Sequence, residues 1–82
     1  MTTTLTRVRA IIAARLDIDP DAVTADSNIF ALGADDLTAL EILMAIEDLF
    51  DIEIPDEAAE RIQVVGDAVR LIDAKTAKVE VA

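Results

Sequence analysis

Glycine and proline are so scarce in this chain that a fold built from strands and tight turns is disfavoured. Each occurs only twice in 82 residues. Hydrophobic residues make up 54 % of the chain but aromatic residues only 2 %, so aliphatic side chains have to form the core. Alanine, leucine and isoleucine are abundant, which favours helices. The length suffices for one small domain, which we expect to span residues 1–82.

Hydrophobic spacing predicts an all-α bundle of three longer helices and one short helix, with a long loop between the first two. Threonines before Leu5 can cap the first helix, and a short helical turn is expected after Pro20. Gly33 supplies backbone freedom before the second helix, the third starts at Pro55, and Gly66 should weaken the first turn of the fourth. The predicted helices cover about residues 4–16, 36–50, a few residues from 55, and 65–75, with a loop over 17–34 and a frayed tail over about 76–82.

The acidic residues are concentrated in the middle of the chain. The formal net charge is −10, and the segment from residue 16 to residue 60 holds fourteen Asp and Glu without one Lys or Arg. Such a surface repels phosphate backbones, so nucleic acid is not an expected partner. It attracts basic protein surfaces instead, although an acidic face that only keeps the protein soluble is the simpler alternative.

The residue types leave little room for catalysis or metal binding. The chain has no cysteine and no histidine, so thiol chemistry and the commonest general base are absent, and we expect no enzymatic activity. Asp17, Asp19 and Asp21 have the spacing of a calcium loop, but Ala22 and Asn28 stand where glycine and glutamate belong, so no metal site is expected. No apolar run approaches the roughly 20 residues of a membrane span, and a monomeric cytoplasmic protein is the expectation.

A helical wheel of residues 36–50 shows an anomaly on the second helix. One arc is apolar and predicts the face turned to the core, formed by Ala39, Ile42, Leu43, Ile46, Leu49 and Phe50. The opposite side carries Glu41, Glu47, Asp48 and Asp51, and among these acids lie Leu37, Leu40 and Met44. Apolar residues rimmed by carboxylates are typical of a docking surface, and methionine suits several partners. The alternative is that the bundle buries a second stripe, with Leu40 at its edge.

The segment LGADDLTALEILMAIEDLFDIEIPDEAAERI resembles the central region of acyl carrier proteins. That family has the pattern LGADSL, then an acidic amphipathic helix, then a turn similar to EIPDE. The similarity covers roughly residues 5–74, and the spacing between the two motifs makes it specific. The matching residues include Gly33, Ala34, Asp35, Leu37, Glu41, Met44, Ala45, Glu47, Phe50, the run from Glu53 to Glu57, Ala59 and Ile62.

The resemblance implies a four-helix carrier domain that holds acyl groups as thioesters on a 4′-phosphopantetheine arm. In the family the arm is joined by a phosphodiester to a serine at the start of the second helix, next to the positions of Gly33, Asp35 and Leu37. The implied role is to present acyl groups to fatty-acid, polyketide or specialised lipid synthesis enzymes. The implied partners are basic surfaces of acyl-transfer, synthase and pantetheinyl-transferase enzymes. They would contact Leu37, Leu40, Glu41, Met44, Glu47 and Asp48.

This chain departs from the family at the attachment residue itself, because Asp36 stands at the serine position. A phosphodiester needs an alcohol oxygen, whereas a carboxylate can form only an acyl phosphate, which hydrolyses readily. The arm is therefore expected to be absent. Ser27 lies upstream in the loop without the motif around it, and Thr38 lies two residues inside the helix, so neither is an expected arm site.

Three interpretations of Asp36 stay open on sequence alone. It replaces serine and holds a carrier in its unmodified state, or it belongs to a natural arm-less homologue that acts as a regulatory or scaffolding module. In the third interpretation it is only a favourable residue for a helix start, where Asp35 or Asp36 accepts backbone N–H bonds. Thr38 to Glu41 also fits a capping box, which would start the helix two residues later.

Overall fold

The computed structural model describes residues 3–76, and within that range the chain is an all-α bundle with no strand. This confirms the predicted fold class. The helix bounds also agree with the predicted ones to within a residue, and the predicted fraying beyond residue 76 lies outside the described residues. The elements are α1 (Thr4–Leu16), a 3₁₀ turn (Pro20–Ala22), α2 (Asp36–Phe50), α3 (Asp56–Ala59) and α4 (Val65–Thr76).

Aliphatic packing of α1 against both α2 and α4 forms the core. The α1 residues Val8 and Ile12 are completely or almost completely buried, and no polar or charged residue among those described is buried with them. Burial of each such side chain stabilises the fold by about 1.5–3 kcal/mol. The other members of this core come from the loop, α2, the α2–α3 turn and α4: Val23, Ile42, Ile46, Ile54, Val65 and Ile72.

Leu49 does not belong to the core, which corrects the expectation from the helical wheel. Its side chain is 49 % exposed, whereas Ile46 one turn earlier is 2 % exposed. Leu49 lies at one edge of the apolar arc, about 60° from Ile46. The neighbouring helices cover the centre of that arc and leave this edge open.

The long connection is fixed to the start of α4 by backbone hydrogen bonds. The amides of Val65 and Gly66 donate to the carbonyl oxygens of Ser27 and Ala25, at 2.8 and 2.7 Å. A Cβ atom at position 66 would lie 3.1 Å from the Ala25 oxygen, so glycine permits this close approach. From the sequence, Gly66 was expected only to weaken the first turn of the fourth helix, and this role was not predicted.

Local residues explain three of the helix ends, two through side-chain hydrogen bonds and one through its backbone conformation. Thr3 caps α1 as predicted, because its hydroxyl accepts the Thr6 amide at 3.1 Å. At α4 the Asp67 carboxylate accepts the amides of Gln63 and Val64, at 3.0 and 3.2 Å, and so replaces the missing threonine cap. These bonds lower the pKa of Asp67. At the end of α2, Asp51 adopts the left-handed conformation, with φ 55° and ψ 51°.

Asp51 combines two unfavourable features, a left-handed backbone without glycine and a negative charge at a helix C-terminus. We expect Asp51→Gly to raise the free energy of unfolding by about 0.5–1 kcal/mol, since the gain in the folded state exceeds the added freedom of the unfolded chain. Asp51→Asn removes only the charge and should give a smaller gain. Urea denaturation at fixed ionic strength measures both, and a loss of stability in Asp51→Gly would contradict this account.

Candidate functional site

The turn before α2 is built around Gly33 and Asp35. Gly33 has φ +116°, a backbone conformation that L side chains rarely adopt, which explains the glycine although a Cβ atom there would meet no neighbour within 4 Å. Asp35 is the N-cap residue of α2, and its carboxylate accepts the Thr38 amide at 2.8 Å. Because α2 begins at Asp36, the alternative start through a capping box at Thr38 is wrong.

The two adjacent aspartates therefore have different positions and different roles. Asp35 performs the capping, and the bond from the Thr38 backbone N–H is the main reason why the pKa of Asp35 lies below its ordinary value. Asp36 is the first helical residue and is exposed. Its side chain makes no hydrogen bond or ion pair to any residue in the range 3–76. The requirement for a helix cap thus explains Asp35 but not Asp36, whose exposed charge in the first turn gains only the weak attraction of the helix dipole.

The other two hydroxyl candidates are poorly placed for an arm. The Ser27 hydroxyl is half-buried, accepts the Thr24 amide at 2.9 Å and lies 3.2 Å from the Thr24 hydroxyl. Thr38 is half-buried within the first turn of α2. Neither hydroxyl lies at the exposed first position of α2, as the Asp36 carboxylate does.

The apolar side chains among the acids of α2 are exposed. Leu37, Leu40 and Met44 are 64 %, 52 % and 56 % exposed, so the bundle does not bury a second stripe there. Together with the exposed acids Glu41 and Asp48 they form what we call the α2 face. Such a surface supplies apolar contact area and negative charge at once.

Glu47 has a structural role that sequence reasoning missed. Its carboxylate is half-buried and accepts the Ile54 amide at 2.7 Å, which ties the turn after α2 to the helix. One of the Glu47 oxygens is thus occupied by the fold, so Glu47 has fewer oxygens free for a partner at this margin of the α2 face. Glu41 itself lies 3.5 Å from Arg15, and because both side chains are about half exposed, this pair contributes little to stability.

An apolar cavity of about 180 Å³ lies between α1, α2, α4 and the loops. Sequence reasoning did not find it, because residues from distant segments surround it. Its lining is mainly apolar, so it suits aliphatic groups better than water. Phe30, about half exposed, and Leu40 of the α2 face are part of its wall, so the cavity reaches the surface beside that face. Its lining also includes Val8, Ile12, Ile29, Ile46, Ile62 and Ala68.

Similarity to known proteins identifies the family of this chain. A family described as "phosphopantetheine attachment site" matches residues 6–72. The acyl carrier protein of Caulobacter vibrioides is 55 % identical over 78 residues, which cover 94 % of this chain and 100 % of that protein. The chain belongs to the acyl carrier protein family. The acyl carrier protein of Phenylobacterium zucineum is likewise 55 % identical, over 73 residues that cover 88 % of this chain and 92 % of that one.

A solved structure of the acyl carrier protein from Enterococcus faecalis shares the fold. It superposes with a TM-score of 0.76 at 40 % identity and covers 93 % of this chain and 100 % of that one. Acyl carrier proteins carry acyl groups for synthase and transferase enzymes and are not enzymes themselves. The resemblance to acyl carrier proteins is thus confirmed, and the expectation of no enzymatic activity agrees with the family.

Two further observations concern metal ions and membranes. Within residues 3–76 no three acidic side chains are arranged to hold a metal ion. Asp19, one residue of the calcium-like spacing, instead accepts the Asp21 amide at 2.9 Å and caps the 3₁₀ turn. None of the helices in the described part of the chain is long and apolar enough to cross a bilayer.

Alanine substitutions at two residues of α2 only two positions apart should differ in their effect on stability. We expect Ile46→Ala to lower the free energy of unfolding by about 2–5 kcal/mol, because it opens a hole in the core. Met44→Ala should change it by no more than about 0.5 kcal/mol, because Met44 is exposed. Chemical denaturation of both variants against the parent tests this. Equal losses would place Met44 in the core and remove it from the α2 face.

The adjacent aspartates give a second matched pair. Asp35→Ala should lower the melting temperature because it leaves the Thr38 amide without its cap, whereas Asp36→Ala should leave it nearly unchanged. Since the folded-state pKa of Asp35 is lowered, its contribution is complete above the ordinary value of 3.8 and is lost as the pH falls through the lowered one. Thermal melts of the parent and Asp35→Asn should therefore converge in acid. A larger effect at Asp36 than at Asp35 would reverse the assignment.

Proposed function

We propose that this chain is an acyl carrier scaffold that is held without its arm and that works by docking to carrier-recognising enzymes. The observation that carries the proposal is the exposed Asp36 carboxylate at the first position of α2, where the family attaches phosphopantetheine. Around it the fold of the carrier is complete. The chain thus has the shape of a pantetheinyl-transferase substrate but lacks the alcohol oxygen that accepts the arm.

The residues at the start of α2 do not fit covalent attachment of phosphopantetheine. Gly33, Asp35 and Leu37 match the family pattern, but the acceptor must be an alcohol, and Asp36 offers a carboxylate. Ser27 is engaged with Thr24, and Thr38 lies within the helix. The cofactor that defines the family is therefore proposed to be absent from this chain.

Partner recognition is assigned to the α2 face and to Glu47 at its margin. Leu37, Leu40 and Met44 provide apolar contact area, and Glu41 and Asp48 provide charge that steers basic surfaces toward it. The proposed partners are the basic faces of acyl-transfer, synthase and pantetheinyl-transferase enzymes. The segment from residue 16 to residue 60 has no positive charge of its own, and the cation beside the face is Arg15, which lies 3.5 Å from Glu41 in an exposed and therefore weak pair.

Restoring the alcohol tests the proposal directly. Incubated with coenzyme A and a broad-specificity pantetheinyl transferase, Asp36→Ser should gain the mass of a phosphopantetheine group, because the docking face is intact and only the acceptor was missing. The parent and the matched control Asp36→Asn should gain none. Intact-mass spectrometry with peptide mapping is the measurement. A parent chain modified at Ser27 or Thr38, or a folded Asp36→Ser that stays unmodified, would refute the proposal.

A further inference from the structure

We propose that this chain is a competitive inhibitor of the enzymes that transfer phosphopantetheine to acyl carriers. The inference rests on the proposed function, since it takes the α2 face to be the surface that these enzymes recognise. It goes beyond that function by giving the arm-less chain an activity of its own. The chain would occupy the enzyme and could not be converted into product.

The local fold does not require Asp36. Asp35 caps α2, Gly33 forms the turn, and the Asp36 side chain contacts none of the described residues through a hydrogen bond or ion pair. Replacing serine by aspartate at this position therefore leaves the helix start and the α2 face in place. An enzyme that recognises this surface meets the same shape in a modifiable carrier and in this chain.

The exposed apolar side chains of α2 supply the binding energy in this proposal. Leu37 adjoins the acceptor position, but Leu40 and Met44 lie about one and two turns further along α2, so much of the proposed contact area is separate from the single acceptor atom. Binding energy of this kind is the same for substrate and unreactive analogue. Loss of the alcohol thus abolishes turnover and leaves most of the affinity.

The negative charge of Asp36 also favours binding to a basic partner. Asp36 adds one negative charge, at an exposed helix start, to a surface that is already acidic and has no Lys or Arg between residues 16 and 60. Toward a basic partner this charge favours encounter and does not oppose it. A modifiable carrier leaves the enzyme as product, whereas the concentration of this chain stays constant during the reaction.

The experiment uses Asp36→Ser of this same chain as the substrate and the parent chain as the inhibitor. In the reaction, the seryl oxygen attacks the phosphorus next to pantetheine in coenzyme A. The phosphoanhydride bond breaks, adenosine 3′,5′-bisphosphate leaves, and the hydroxyl proton passes to solvent. Added parent chain should raise the apparent KM for Asp36→Ser without changing kcat, and Ki should lie within about threefold of that KM. No inhibition at about ten times KM would overturn the inference.

Two charge-reversal variants of the parent chain serve as a matched pair of inhibitors. Glu41→Lys changes the α2 face and should raise Ki several-fold. Asp73→Lys makes the same charge change on α4, where it also removes the hydrogen bond that the Thr4 hydroxyl donates, and should leave Ki nearly unaltered. Circular dichroism confirms that both variants are folded. Equal effects of the two variants, or inhibition that is not competitive, would overturn the inference. A folded Asp36→Ser that is not modified would overturn the proposed function and this inference together, whereas modification without inhibition by the parent would overturn this inference alone.

Discussion

The burial of Val8 and Ile12 of α1 is the contact on which the rest of the structure depends, because α1 packs against both α2 and α4. The core is aliphatic, and the chain contains no cysteine that could cross-link it. Without this contact neither α2 nor α4 has a long partner helix, and an isolated helix of their length is marginal in water. By fixing one side of α2, the contact also determines which side stays outside, and so creates the α2 face.

Several acidic residues serve the fold and are not free for partners. Asp35 and Asp67 accept amides at the starts of α2 and α4, Asp19 caps the 3₁₀ turn, and Glu47 holds the turn after α2. Each of these backbone N–H groups gives up a hydrogen bond to water when the chain folds, and the carboxylate supplies a new acceptor for it. Part of the excess of acids therefore has a structural origin, the capping of helix ends and turns, and the remainder is available for the docking role that we propose.

The helices and the start of the candidate site were predictable from local chemistry. The bounds of α1 and α2, the cap at Thr3 and the special backbone of Gly33 follow from hydrophobic spacing, capping and the properties of glycine. The exposure of Leu37 and Met44 also followed from the wheel. Leu49 did not, because a residue at the edge of an apolar arc is buried only if a neighbouring helix reaches past it.

What the sequence by itself determined is the helical fold class, the acidic middle of the chain and the missing alcohol at Asp36, since these depend on residue type and on spacing along one helix. The division of roles between Asp35 and Asp36 needed the local backbone geometry of the helix start. Only the tertiary structure decided the approach of Gly66 to Ala25 and the apolar cavity beneath Phe30 and Leu40. The physical reason is that a close backbone approach and the space between packed helices depend on where distant segments meet, and a one-dimensional pattern does not contain those distances.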